Sequence, residues 1–140
     1  MPQGNINHLF VYGSLRSGFQ SPVYEYISRF FLPVGNASVQ GKLIDMGSYP
    51  AGIPSLEGNI TGELYRIRQD NEFAWAIGQL DDYEGVSVEP DEVQLYRRDI
   101  TMADCNGRQI PSWIYWYNGD TAGRPVISSG DIFEYMAKKI

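Results

Sequence analysis

The sequence predicts an α+β fold in which a bent sheet of mixed or antiparallel strands closes into a small barrel with few flanking helices. Three observations lead there. Strand-like runs dominate the 140 residues, and few helical stretches interrupt them, so parallel crossover units are scarce. Glycine and proline recur between Leu32 and Gly62, at Gly35, Gly41, Gly47, Pro50, Gly52, Pro54, Gly58 and Gly62. That density bends strands and argues against helix. A strand-rich chain of this size also gains by closing its sheet, since closure removes exposed edges.

The elements follow in order. His8 to Tyr12 is an apolar run stopped by Gly13 and reads as a buried strand. Ser21 caps a short helix with Pro22 at its first position and Tyr24, Ile27 and Phe31 on one face. Val39 to Met46 reads as one strand and Ile60 to Ile67 as another. Asp70 or Asn71 caps the strongest helix, Glu72 to Glu84, which Gly85 ends. Val93 to Ala103 and Gln109 to Tyr117 flank "DCNGR", where Asn106-Gly107 forms a hairpin turn. Asp131 to Lys139 makes a short terminal helix, entered through a Ser129-Gly130-Asp131 loop.

No linker, repeat or low-complexity stretch divides the chain, so residues 1–140 are expected to form a single domain. Net charge is −6, and basic residues pair only at Arg97-Arg98 and Lys138-Lys139. Without a basic stripe to neutralise phosphates, no nucleic-acid partner is expected. A hydrophobic share of 43% and the absence of a signal-like N-terminus predict a cytoplasmic protein with no membrane partner. Cys105 is the single cysteine and excludes an internal disulfide. It falls in the predicted turn with no base nearby in sequence, so it is not read as a catalytic thiol. His8 reads as structural or exposed, and no pattern of His, Cys and carboxylate suggests a metal site. Among ten tyrosines, Tyr115 and Tyr117 alternate with Trp113 along one strand, which suits a core or a sheet surface.

Two places could carry chemistry. The run "VYGSLRSG" follows a strand with Tyr12-Gly13-Ser14-Leu15, where free backbone N–H groups could hold an anion such as a substrate carboxylate. It reads equally as an ordinary strand-to-loop turn, and it lacks the glycine spacing and lysine of a phosphate loop. The second place is Glu84. Counting back from it, Leu80, Ile77 and Phe73 lie on one helical face, so the carboxylate continues a stripe that should face the core. Desolvation, the like charge of Asp81 one turn away and the negative end of the helix dipole all favour its neutral form. A carboxyl group held in that way suits general acid–base work. The other reading turns Tyr83 inward and leaves Glu84 solvated.

The motifs "VYGSLR", "GKLIDMGSYPA", "GELYRI", "LDDYEGV", "LYRRDI", "WIYWYNG" and "SSGD" occur in that order between Val11 and Asp131. In this ordered set the chain resembles the gamma-glutamylcyclotransferase-like family, and most of all its small branch of gamma-glutamylamine cyclotransferases. The resemblance implies a bent barrel-like sheet with helices packed on it. It implies Glu84 as the catalytic glutamate and Tyr12-Gly13-Ser14-Leu15 as the substrate-holding loop. It also implies substrate contact from Tyr96 of the "YRR" motif and from a strand tyrosine, Tyr117, with Tyr115 as the alternative on the same face. One departure is Ile132, where relatives commonly carry tryptophan after Ser-Gly-Asp. The implied activity is cofactor-independent and metal-free: a small gamma-glutamyl amine or peptide closes to 5-oxoproline and releases a free amine. The alternative is a non-catalytic binding module for a small carboxylate metabolite in the same pocket. The loop from Tyr49 to Leu56 and the C-terminal segment are expected to line the leaving-group end. Oligomeric state is not readable from the sequence.

Overall fold

The computed structural model describes residues 6–12, 25, 28–47, 50–84, 96–132 and 135, except for the side chains of 82–84. In chain order the strands are β1 (His8–Val11), β2 (Phe31–Gln40), β3 (Lys42–Asp45), β4 (Pro50–Ile53) and β5 (Asn59–Ile67). A 3-10 turn, Asp70–Glu72, leads into helix α1 (Phe73–Glu84), followed by β6 (Tyr96–Cys105), β7 (Arg108–Tyr117) and β8 (Val126–Ile127).

The barrel expected from the glycine-rich, strand-dominated sequence is present. It closes in the order β1-β5-β2-β6-β7, and a separate three-stranded sheet runs β4-β3-β8. Barrel neighbours are antiparallel except β1 and β7, which run parallel with Leu9 opposite Trp113. The β6–β7 hairpin turns at Asn106-Gly107, where both residues take positive φ (55° and 82°). This is the two-residue geometry that Asn-Gly favours.

Alternation along the strands separates two apolar regions. Phe10, Leu64, Ile114 and Trp116 point inward with Ala103, Cys105 and Ile132. Leu9, Val11, Tyr65 and Tyr115 point outward and are covered by Ala76, Ile77 and Leu80 of α1. The helix spacing read from the sequence is therefore the observed one: Ile77 and Leu80 are buried, each stabilising the fold by on the order of 2 kcal/mol. The Ser-Gly-Asp segment docks on β5 through the Thr61 N–H, which donates to the Gly130 carbonyl at 2.7 Å.

Several expectations are corrected. Phe31 opens β2 instead of facing inward from a helix; its ring is needed against Phe73 and Ile67 in the outer core. Residues 28–30 are helical, while Ser21, Pro22, Tyr24 and Ile27 lie outside the described residues. The strand read from Val39 to Met46 breaks at Gly41, because Lys42–Asp45 pairs with β4 and β8 in the second sheet. Neither β4 nor β8 was expected. The helix is not capped by Asp70 or Asn71. Gln69 takes the N-cap position of the 3-10 turn with no side-chain cap bond, and Asp70 faces Asn7 and Arg66 instead. Cys105 ends β6 and is buried in the inner core, since the strand runs two residues beyond Ala103. Ile132 and Tyr135 are helical, while Asp131, expected to open the terminal helix, precedes it and accepts the Tyr135 N–H; 133, 134 and 136–139, like Gly85, lie outside the described residues.

Candidate active site

β1 and β7 run parallel, so the chain leaves β1 at Tyr12 on the same rim where β7 ends at Tyr117. Tyr12 turns into the inner core and is buried. Its hydroxyl donates to the Tyr115 carbonyl and accepts the Gly52 N–H at 3.2 Å. The approach is open only because residue 52 has no side chain: a Cβ there would stand 2.6 Å from the Tyr12 ring. Tyr117 faces outward opposite Tyr96 in the β6–β7 register, their rings 5.5 Å apart and edge to face at 73°. It also packs on Ala51 and Ile44. Consecutive residues of β4 thus meet two rim tyrosines, Ala51 against Tyr117 and Gly52 against Tyr12.

Helix α1 runs toward this rim. Phe73 meets Phe31 edge-on at 6.5 Å, beside Ile67, at the barrel end where β1 begins. Eight positions later, Asp81 has reached Tyr115 and Arg98. Glu84 is the helix's last residue. The structure therefore gathers Tyr12, Tyr96 and Tyr117 at the barrel end toward which the helix carrying Glu84 points. Gly13, Ser14 and Leu15 lie outside the described residues, as does the Glu84 side chain.

Asp81 is the feature that the sequence reading missed. Only 8% exposed, it accepts the Tyr115 hydroxyl and Arg98 Nε on the same oxygen, each at 2.8 Å. The Arg98 guanidinium in turn lies 4.4 Å from the centre of the Trp113 ring. The negative charge counted against ionisation of Glu84 is therefore offset by Arg98. The signal for Asp81 was available, since Ile77 plus four is 81, on the same inward stripe that drew attention to 84. Arg98 and Tyr115 carried no such signal, being on strands far from the helix in sequence.

Elsewhere, His8 is half-buried, and its pKa is lowered first by burial and then by the neighbouring Arg66. Among the described residues no group of three or more His, Cys, Asp or Glu could hold a metal ion. One residue along from the Tyr96–Tyr117 pair, Arg97 and Trp116 turn to the other face of the hairpin. They help line a cleft of about 480 Å³ with Gln40, Ser55 and Leu56. Of the loop expected from Tyr49 to Leu56, Pro50–Ile53 is strand β4, residues 54–56 line this cleft, and Tyr49 lies outside the described residues.

The candidate site is thus the tyrosine-lined rim of a small mixed barrel, toward which a helix ending on a glutamate points. Across residues 9–134 the sequence matches the family described as gamma-glutamyl cyclotransferase, AIG2-like, and the chain belongs to that family. Similar folds include YkqA from Bacillus subtilis (TM-score 0.69, 24% identity), where the match covers 96% of this chain and 43% of YkqA. The chain thus spans less than half the length of that relative. The uncharacterized protein PH0828 from Pyrococcus horikoshii is similar at TM-score 0.68 and 17% identity, over 95% of both chains. An AIG2-like protein from Mus musculus is similar at TM-score 0.65 and 22% identity, over 90% of this chain and 88% of that one. At these identities the structures speak for the fold alone. No functionally curated protein matches significantly. No helix among the described residues is long and apolar enough to cross a membrane.

Proposed function

We propose that this chain is a cytoplasmic cyclotransferase that releases 5-oxoproline and a free amine from a small gamma-glutamyl amine or peptide, with Glu84 as general acid and base. The observation that carries the reading is the family match over residues 9–134, which includes the "LDDYE" that ends α1. Two facts of geometry support it: the buried stripe of the helix leads to position 84, and the helix points at the rim of Tyr12, Tyr96 and Tyr117.

The chemistry is an intramolecular acyl transfer. The substrate's α-ammonium cannot attack, so the Glu84 carboxylate takes one proton from it. The freed α-amine attacks the γ-carbonyl carbon, forming the C–N bond of a five-membered ring and a tetrahedral oxyanion. Glu84, now a carboxylic acid, passes its proton to the amide nitrogen as that C–N bond breaks. Of the ammonium's three protons, one stays on the lactam nitrogen and one travels through Glu84 to the leaving nitrogen; the third passes from the ring nitrogen to the regenerated Glu84 carboxylate, which returns it to water as the released amine takes up a proton. Both reacting groups belong to one molecule, so holding the folded conformer supplies much of the acceleration. Backbone N–H groups of Gly13 to Leu15 would grip the α-carboxylate or the oxyanion, and Tyr96 and Tyr117 would flank the substrate. No metal or organic cofactor is required by this route.

The test is 5-oxoproline release, followed by mass spectrometry, over a panel of gamma-glutamyl amines and dipeptides. Glu84→Gln is expected to keep the fold and ligand binding while turnover falls by about 10² to 10⁴. Full activity in that variant removes Glu84 from the mechanism. Binding of a small carboxylate metabolite, with no 5-oxoproline from any member of the panel, would instead identify a binding module.

A further inference from the structure

The geometry points to Asp81 as a positioning residue for Glu84: a carboxylate that clamps the last turn of α1 across two strands and so sets where Glu84 sits. The inference rests on the reading of Glu84 as the proton carrier.

A charge is an expensive way to fill a buried helical position, because desolvating a carboxylate is unfavourable unless it is fully partnered. An apolar residue would continue the stripe of Ala76, Ile77 and Leu80 without that penalty. Asp81 adds direction. Its two donors come from different strands, Arg98 on β6 and Tyr115 on β7, and these residues stand directly opposite each other in the hairpin register. A single oxygen, Oδ1, spans both. The Tyr115 hydroxyl also lies 3.5 Å from the Ile77 carbonyl, one turn earlier in the helix. Arg98 is steadied from its other side by Trp113.

Apolar contact tolerates sliding and rotation of a helix over a sheet, whereas bonds from two neighbouring strands to one atom allow little of either. Glu84 follows three residues later, a rise of about 4.5 Å, in the terminal turn where helices ordinarily fray. A clamp immediately before that turn is well placed to hold a side chain whose chemistry depends on position. Nothing in this arrangement requires Asp81 to touch the substrate.

The experiment compares wild type, Asp81→Asn and Glu84→Gln, singly and combined, with Tyr115→Phe as a milder variant should Asp81→Asn fold poorly. Amide hydrogen exchange reports the helix end without reference to activity. In Asp81→Asn, exchange at 82–84 should quicken about tenfold while that at 76–78 stays near wild type. In the 5-oxoproline assay, kcat should fall about 10- to 100-fold with KM changing by less than about twofold. In the Glu84→Gln background the same substitution should add no further loss, since it acts through the group already removed. Unchanged exchange and kcat would overturn the inference, and so would a loss that repeats at full size without Glu84. If wild-type protein makes no 5-oxoproline, the cyclotransferase reading fails, while exchange at 82–84 still decides whether Asp81 clamps the helix end.

Discussion

The two faces of the β6–β7 hairpin share the same strands and the same register, yet they do different work. Inward, Ala103, Cys105, Ile114 and Trp116 meet other apolar side chains inside the barrel. Outward, Tyr96, Arg98, Trp113, Tyr115 and Tyr117 carry hydroxyls, rings and a charge, and make bonds and ring contacts with defined directions. The inner face is held by volume, and many side chains of similar size could fill it. The outer face of the hairpin adds directed contacts to its apolar packing, and two of them, from Arg98 and Tyr115, hold Asp81 of α1.

The contrast can be broken from the inside first. Trp116→Ala removes a large buried ring, only 4% exposed, and should destabilise the fold by roughly 3–5 kcal/mol, read from urea unfolding. A loss below about 1 kcal/mol would mean that the inner face is not a tightly packed core. On the outside, Tyr115→Phe keeps the ring and deletes one donor to Asp81, which still has Arg98. The expected destabilisation is about 2 kcal/mol. A loss as large as that of Trp116→Ala would erase the distinction between the two faces.

The smallest effect concerns His8, whose lowered pKa arises mainly from burial. Charging the imidazole is harder in the folded chain than in the unfolded one. As pH falls below the ordinary value of 6.5, the unfolded chain takes up the proton first, and stability declines until the lower folded pKa is passed. His8→Gln should therefore make the fall in urea midpoint between about pH 7.5 and pH 5 shallower. Equal slopes for the two proteins would show that His8 contributes nothing to the acid sensitivity.

What was legible in the sequence is what depends on local spacing. The run at 8–11, the inward stripe of Phe73, Ile77 and Leu80, and the Asn106-Gly107 turn all follow from periodicity or backbone preference, and the structure has each of them. The barrel itself followed from glycine density and the scarcity of helices. What was not legible depends on distant partners. Nothing near Gly41 announces that Lys42 will join a different sheet from Gln40, because β4 and β8 supply that instruction. Two-residue β8 is too short to show any period. Asp81 looked like a neighbouring charge because Arg98 is 17 residues away and Tyr115 is 34 away. Of the candidate site, Tyr12, Tyr96 and Tyr117 could be named from motif order, whereas the contact between Tyr12 and Gly52 joins residues 40 apart and leaves no local trace.

That contact bears on the order in which the molecule assembles. The Tyr12 hydroxyl joins partners 40 and 103 positions along the chain. β1 can pair with β5 once residue 67 is made, but the β7 edge and the Tyr115 carbonyl reach it only after about fifty further residues. Ties across such long loops come late and slow closure, whereas β6 and β7, linked by two residues, zip up at once. Among the described barrel strands, β1 gains its second neighbour only when β7 is present.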